Sequence, residues 1–201
     1  MIVLHLIKEN KMSTKFYSDY EESGIRYDDY LSEHIENVKK SWNDILRPWL
    51  EEPENMIEFD ECTIEYIDDI QRQIDKHDKS KYEKVEYEPY RNNFYPTCKA
   101  DLNDYNKTQY DLAWLHHQHV NKHHPQYWVL QTDNEGTRIL DMDFASICEM
   151  LCDWHSFSAK YPESTCNNWY DKVKNTYPLS DNTKETVEKL LEAFIGKSLG
   201  S

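Results

Sequence analysis

Apolar residues return at helical intervals along most of the chain. Between Ile25 and Leu50, the positions Tyr27, Leu31, Val38, Trp42, Ile45 and Trp49 fall on one stripe, and Pro48 fits a terminating turn. A second helix is expected from about Thr63 to Asp75, with Ile64, Ile67, Ile70 and Ile74 on one face. The stretch YEKVEYEPYRNNFYPT predicts a short aromatic helix that breaks at Pro96, and a long helix follows from about Leu102 to Val120. Two short apolar runs around Asn134-Glu135-Gly136 predict a hairpin near 129–140. DFASICEMLCDWHSFSAKY is then a strongly apolar helix, followed by helices near Ser164–Thr176 and Asn182–Ile195, the last capped by Ser180 or Asp181. The pattern predicts an all-α bundle with one short β-hairpin.

Composition changes this picture little. Six Trp, fifteen Tyr and six Phe supply the large apolar bodies a core needs, although 30% of residues are charged. A net charge of −15 argues against stable nucleic-acid binding, which draws its free energy from Lys and Arg displacing counterions. Five cysteines without a CxxC pair suggest neither a disulfide framework nor a zinc ribbon. No run is long enough to span a bilayer, so no membrane partner and a cytoplasmic location are expected. Residues 1–24 are expected to form a partly flexible N-terminal extension, and 25–197 a single helical domain.

The informative positions are the polar interruptions of apolar faces. In chain order they are His34, then His77-Asp78 at the end of the second helix, then the cluster AWLHHQHVNKHHPQYW, then Asp153. Taken singly, His34 reads as a satisfied core histidine, and Asp153 as a cap or half of a buried ion pair. Taken together, their order resembles the HD superfamily of metal-dependent phosphohydrolases, in which a His, a His-Asp pair and a later Asp converge on a metal. HDKSKY is similar to the HD-x-G-K form of that superfamily, with Ser80 where Gly is commoner and Lys81 in the lysine position. HDKSK, the histidine-rich stretch and EMLCDW together resemble a domain-of-unknown-function family of bacterial and phage proteins regarded as HD-like.

The resemblance implies a helical HD-like domain in which His34, His77, Asp78 and Asp153 hold a divalent transition metal, Mn, Fe, Co, Ni or Zn. It also implies roles for His116, His117, His123 and His124, either as ligands of a second ion or in binding phosphate and donating a proton. His119 is left out of the set. Adjacent helical residues point about 100° apart, so both members of His77-Asp78 can reach one ion only near a helix end. Glu149, four residues before Asp153, shares its side of the helix and can orient a ligand. Cys148 and Cys152 read as small core residues.

The expected activity is hydrolysis of a small phosphorylated metabolite, favouring a nucleotide, by water activated at the metal. Asp78, His117 and Lys81 are the candidate catalytic residues, with Lys81 meeting the phosphate of a small anionic substrate. Two alternatives stand beside this reading: a di-iron oxygenase of the myo-inositol oxygenase type, and a non-catalytic metal-containing binding protein.

Overall fold

The computed structural model describes residues 15–58 and 64–199, with side chains omitted for 56–65. Residues 1–14 of the expected extension, Cys62 and the Ile64 side chain lie outside the described residues. The chain is all-α with one small hairpin, as its hydrophobic pattern predicts. Its internal contacts divide it into two compact units. One comprises residues up to Glu33 and Lys79–His117, and the other His34–Asp78 and Gln118 onward.

The first helix, α1, spans Tyr20–Ser41 and runs through a π turn, Trp42–Leu46, into α2, Arg47–Glu51. The wider π turn shifts the buried stripe by a residue, so Leu50 is buried where the spacing pointed to Trp49. Pro48 does not terminate the helix. It sits in the first turn of α2, where a missing backbone N–H is tolerated. A short α3 follows at Pro53–Glu58.

The first unit is built on aromatic rings. Its elements are the start of α1, a 3-10 turn at Lys79–Tyr82, α5 at Lys84–Phe94 and most of α6 at Asp104–Val120. Tyr27 meets Tyr87 edge-on at 5.1 Å between centroids, and Tyr110 receives Tyr90 and Phe94 the same way at 5.3 and 5.4 Å. Edge-to-face packing of this kind suits the quadrupoles of the four tyrosines and the phenylalanine involved. The helix α5 ends at Phe94, two residues before Pro96, because residues preceding proline avoid the helical region.

The second unit is organised around one apolar helix. The helix α4, Ile64–Ile74, buries Ile67, Ile70 and Ile74. After Gln118 come β1 (Val129–Thr132) and β2 (Gly136–Ile139), paired antiparallel from Val129↔Ile139 to Thr132↔Gly136. Gly136, with φ +76°, supplies the left-handed residue at the tight turn. The helix α7, Phe144–Ser156, is buried on all sides from Ala145 to Ser156. Around it pack α4, α8 (Cys166–Val173) and α9 (Asp181–Leu190). Side-chain oxygens of Asp143, Thr165 and Ser180 cap α7, α8 and α9, so Ser180 is the cap rather than Asp181. A helix with no solvent face places any polar residue it carries in the interior, which is the setting of Asp153 and Glu149.

Candidate metal centre

The helix α4 stops at Ile74, and the chain turns through Asp75–His77 on backbone bonds to Gln71, Gln73 and Ile74 carbonyls. Asp78 then adopts φ +55°, a left-handed conformation that Asp tolerates better than most side chains. Breaking the helix here turns both His77 and Asp78 toward one point. The side chains that converge on it are His34 from α1 and Asp153 from α7. His34 Nε2 lies 3.2 Å from Asp153 Oδ1, 3.5 Å from Asp78 Oδ2 and 3.4 Å from His77 Nε2. His77 Nε2 lies 3.5 Å from Asp78 Oδ2 and 3.7 Å from Asp153 Oδ1. All four residues are buried.

These contacts cannot all be ordinary hydrogen bonds. Ser156 Oγ donates to the Asp153 carbonyl at 2.7 Å and so accepts from His34 Nδ1–H at 3.2 Å. His77 Nδ1–H donates to Glu149 Oε1 at 2.8 Å. A neutral imidazole with its proton on Nδ1 has only a lone pair at Nε2. Two such lone pairs would face two carboxylate oxygens, an arrangement that either a further proton on an imidazole or a bound metal ion reconciles. An ion bonded to nitrogen and oxygen at about 2.0–2.2 Å holds its donors roughly 3.0–3.6 Å apart, close to the spacings here. His34, His77 and Asp153 form one group of donor atoms able to hold a metal ion, and His77, His123 and Glu149 form another.

Glu149 accepts from two imidazoles. Besides His77 it meets His123 Nδ1 at 3.1 Å, and the His123 ring lies 4.5 Å from that of His77. Burial alone would raise the Glu149 carboxyl, yet the charge and hydrogen bond of His123, with His77, hold it down near about 2. Burial likewise works against a charged His123, but Glu149 first, then Asp78 and Asp153, push its pKa up to about 9. Asp153 is held well below the carboxylate range against its own burial by His34, His77 and His123. His124 follows with its ring 4.2 Å from that of His123.

The other half of the histidine motif belongs to the first unit. His116 Nδ1 lies 2.7 Å from Glu86 Oε1, and His117 Nδ1 2.8 Å from Glu86 Oε2. His117 is fully buried, stacked on Trp114 at 5.6 Å and met edge-on by Tyr90 at 6.0 Å. His119 is exposed. Lys81 is half-buried with Nζ 5.7 Å from the Tyr90 ring centroid, a cation–π distance. Tyr90 is part of the core, while Tyr82 and Tyr127 are exposed. Cys148 and Cys152 are buried, and burial pushes the Cys152 thiol up, which keeps it neutral and inert.

Sequence reasoning missed Ser156 and Glu86. Ser156 had a usable signal, since it lies three residues after Asp153 on the same helix. Glu86 had none that distinguished it from its acidic neighbours.

Together the fold and these residues define a helical protein with a buried His/Asp/Glu centre able to hold a metal ion. The chain belongs to a family of unknown function, DUF5662, whose model matches residues 24–193. No curated protein and no solved structure matches it. The family match carries no assignment to the HD superfamily. Among the described residues, no helix is long and apolar enough to cross a membrane.

Proposed function

We propose that the protein is a metal-dependent phosphohydrolase of the HD type acting on a small phosphorylated metabolite, with a nucleotide the favoured class. The observation that carries this reading is the buried group of His34, His77 and Asp153 donor atoms, with Asp78 Oδ2 3.5 Å from both imidazoles. A set of two nitrogens and two oxygens without thiolate suits Mn, Fe, Co, Ni or Zn and leaves coordination positions for other ligands. Bound there, a divalent ion supplies Lewis acidity, which activates water and polarises a phosphoryl oxygen.

The chain's own residues set up the rest. His34, His77, Asp78 and Asp153 bind the ion, Ser156 fixes the His34 tautomer, and Glu149 fixes that of His77. His123 Nε2 lies 3.7 Å from Asp78 Oδ1, placed to donate a proton there or to yield its place to a second cation. Hydrolysis forms a bond from water oxygen to phosphorus and breaks the bond to the leaving oxygen, which takes up a proton.

The test is elemental analysis of purified protein combined with a hydrolysis screen of nucleotides and phosphoesters under each of the five metals. Phosphate release that depends on metal and fails in Asp78→Ala supports the reading. No hydrolysis with any metal, together with O₂ uptake by iron-loaded protein, would transfer it to an oxygenase. A loaded protein inert in both assays would make it a binding protein.

A further inference from the structure

Glu86 lies on α5 inside the aromatic core of the first unit, with no solvent exposure. A buried carboxylate is costly unless every lone pair direction is answered. Here three donors answer it: His116 Nδ1 on Oε1 at 2.7 Å, His117 Nδ1 on Oε2 at 2.8 Å, and Ser80 Oγ on Oε2 at 3.0 Å. Burial raises the Glu86 carboxyl, but His117, His116 and Ser80 outweigh it and hold it below its ordinary value. Three donors around one carboxylate that water does not reach are the surroundings of an ionised group, which only accepts hydrogen bonds.

Neighbouring residues on a helix diverge by about 100°, so His116 and His117 cannot share a partner through one atom. The two oxygens of a single carboxylate solve this by taking one ring each. We infer that Glu86 is a positioning residue that holds His116 and His117 with the proton on Nδ1, leaving Nε2 of each as the lone-pair nitrogen. Trp114 and Tyr90 hold the His117 ring plane in addition. Ser80, where a glycine is the commoner residue of the resembled motif, adds its hydroxyl to the same carboxylate. What the two Nε2 lone pairs meet, a cation or a hydrogen-bond donor, rests on the proposed function; the tautomers do not.

The experiment is long-range ¹H–¹⁵N correlation NMR of the full chain, stripped of metal, at a pH of about 9 where an unperturbed imidazole is neutral. Both histidines are expected as the Nδ1–H tautomer. Finding Nε2–H on either in the wild-type protein would overturn the inference, with no variant needed. Glu86→Gln sharpens it, because an amide presents one acceptor and one donor. Its oxygen can keep one Nδ1–H, while its NH₂ requires the other Nδ1 to accept, so one histidine should switch to Nε2–H. Both rings unchanged in Glu86→Gln would make Glu86 mere packing. Glu86→Asp, which remains an acceptor only, should keep Nδ1–H on whichever ring it still reaches, and a switch of both would also count against positioning. Since these readings use neither metal nor substrate, loss of the hydrolase reading leaves them standing, and their failure leaves the hydrolase untouched.

Discussion

The two units each bury one glutamate against two imidazoles, and the contrast between them shows where a cation is needed. Glu149 accepts from His77 and His123 through one oxygen, at 2.8 and 3.1 Å. Glu86 divides its oxygens between His116 and His117, at 2.7 and 2.8 Å. Around Glu149, however, stand two further buried carboxylates, Asp78 and Asp153. Three acids among His34, His77 and His123 leave a negative surplus that the protein answers by protonating His123, whose pKa rises to about 9. Around Glu86 the imidazole and hydroxyl donors satisfy a single carboxylate, and no comparable surplus exists. The first arrangement collects charge; the second sets the direction of lone pairs.

The largest expected effect lies on the charged side of this comparison. Asp78→Ala removes a donor 3.5 Å from both His34 and His77 Nε2, and should weaken metal binding by more than about 100-fold, beyond the range of an outer partner. Elemental analysis after dialysis reads it. Glu86→Gln should leave the ion held by His34, His77, Asp78 and Asp153 in place. Equal loss in the two variants would erase the distinction, and full loading of Asp78→Ala would remove the centre itself.

Next in size is Glu149→Gln. It replaces a charged acceptor of His77 Nδ1–H with a neutral one, so the metal should bind about 10–100-fold more weakly while still binding. Titration against a competing chelator measures it. An unchanged affinity would show that Glu149 serves His123 alone.

The sequence was legible where polarity interrupts an apolar run. Asp153 and Glu149 stand out because α7 is apolar on every face, and His34 because it falls on the α1 stripe. The end of the second helix was legible too, and with it the chance for His77 and Asp78 to converge. Glu86 was not, because it sits in YEKVEYEPY, where Glu83, Glu86 and Glu88 all look like solvated acids. Only Tyr90 and Phe94, four and eight residues on, share its face, and an aromatic stripe does not call for a carboxylate until the imidazoles 30 residues later are folded against it. The π turn was equally hidden, since an inserted residue changes which tryptophan or leucine is buried without altering the helical period on either side.

Protonation offers a third way to separate the regions, in metal-free protein. Glu149 is lowered from 4.5 to about 2, so its contribution to stability is full above its unfolded value and is lost as pH falls through the folded one. His123 is raised from 6.5 to about 9, so its contribution is full below 6.5 and is lost as pH rises through about 9. The pair therefore stabilises most between about 4.5 and 6.5. Thermal melts of the chelated protein should show that maximum, and Glu149→Gln should flatten it on both flanks. A flattening on the acid flank alone would mean that His123 draws its charge from Asp78 and Asp153 instead.

The smallest effect is expected at Ser80, on the Glu86 side. Its hydroxyl lies 3.0 Å from Glu86 Oε2 and 3.2 Å from His117 Nδ1, so it is one of three donors on a carboxylate that cannot be solvated. Ser80→Ala should cost about 1.5 kcal/mol of unfolding free energy, the lower end of the scale for a hydrogen bond to a charged acceptor. Metal content should not change, because the variant touches none of the charge-collecting residues. A double-mutant cycle gives the argument its edge. In a Glu86→Gln background the acceptor has lost its charge, so the same Ser80→Ala change should cost less than half as much. If the two costs were equal, the hydroxyl would be held by something other than the carboxylate, and the serine would be incidental to the positioning of His116 and His117.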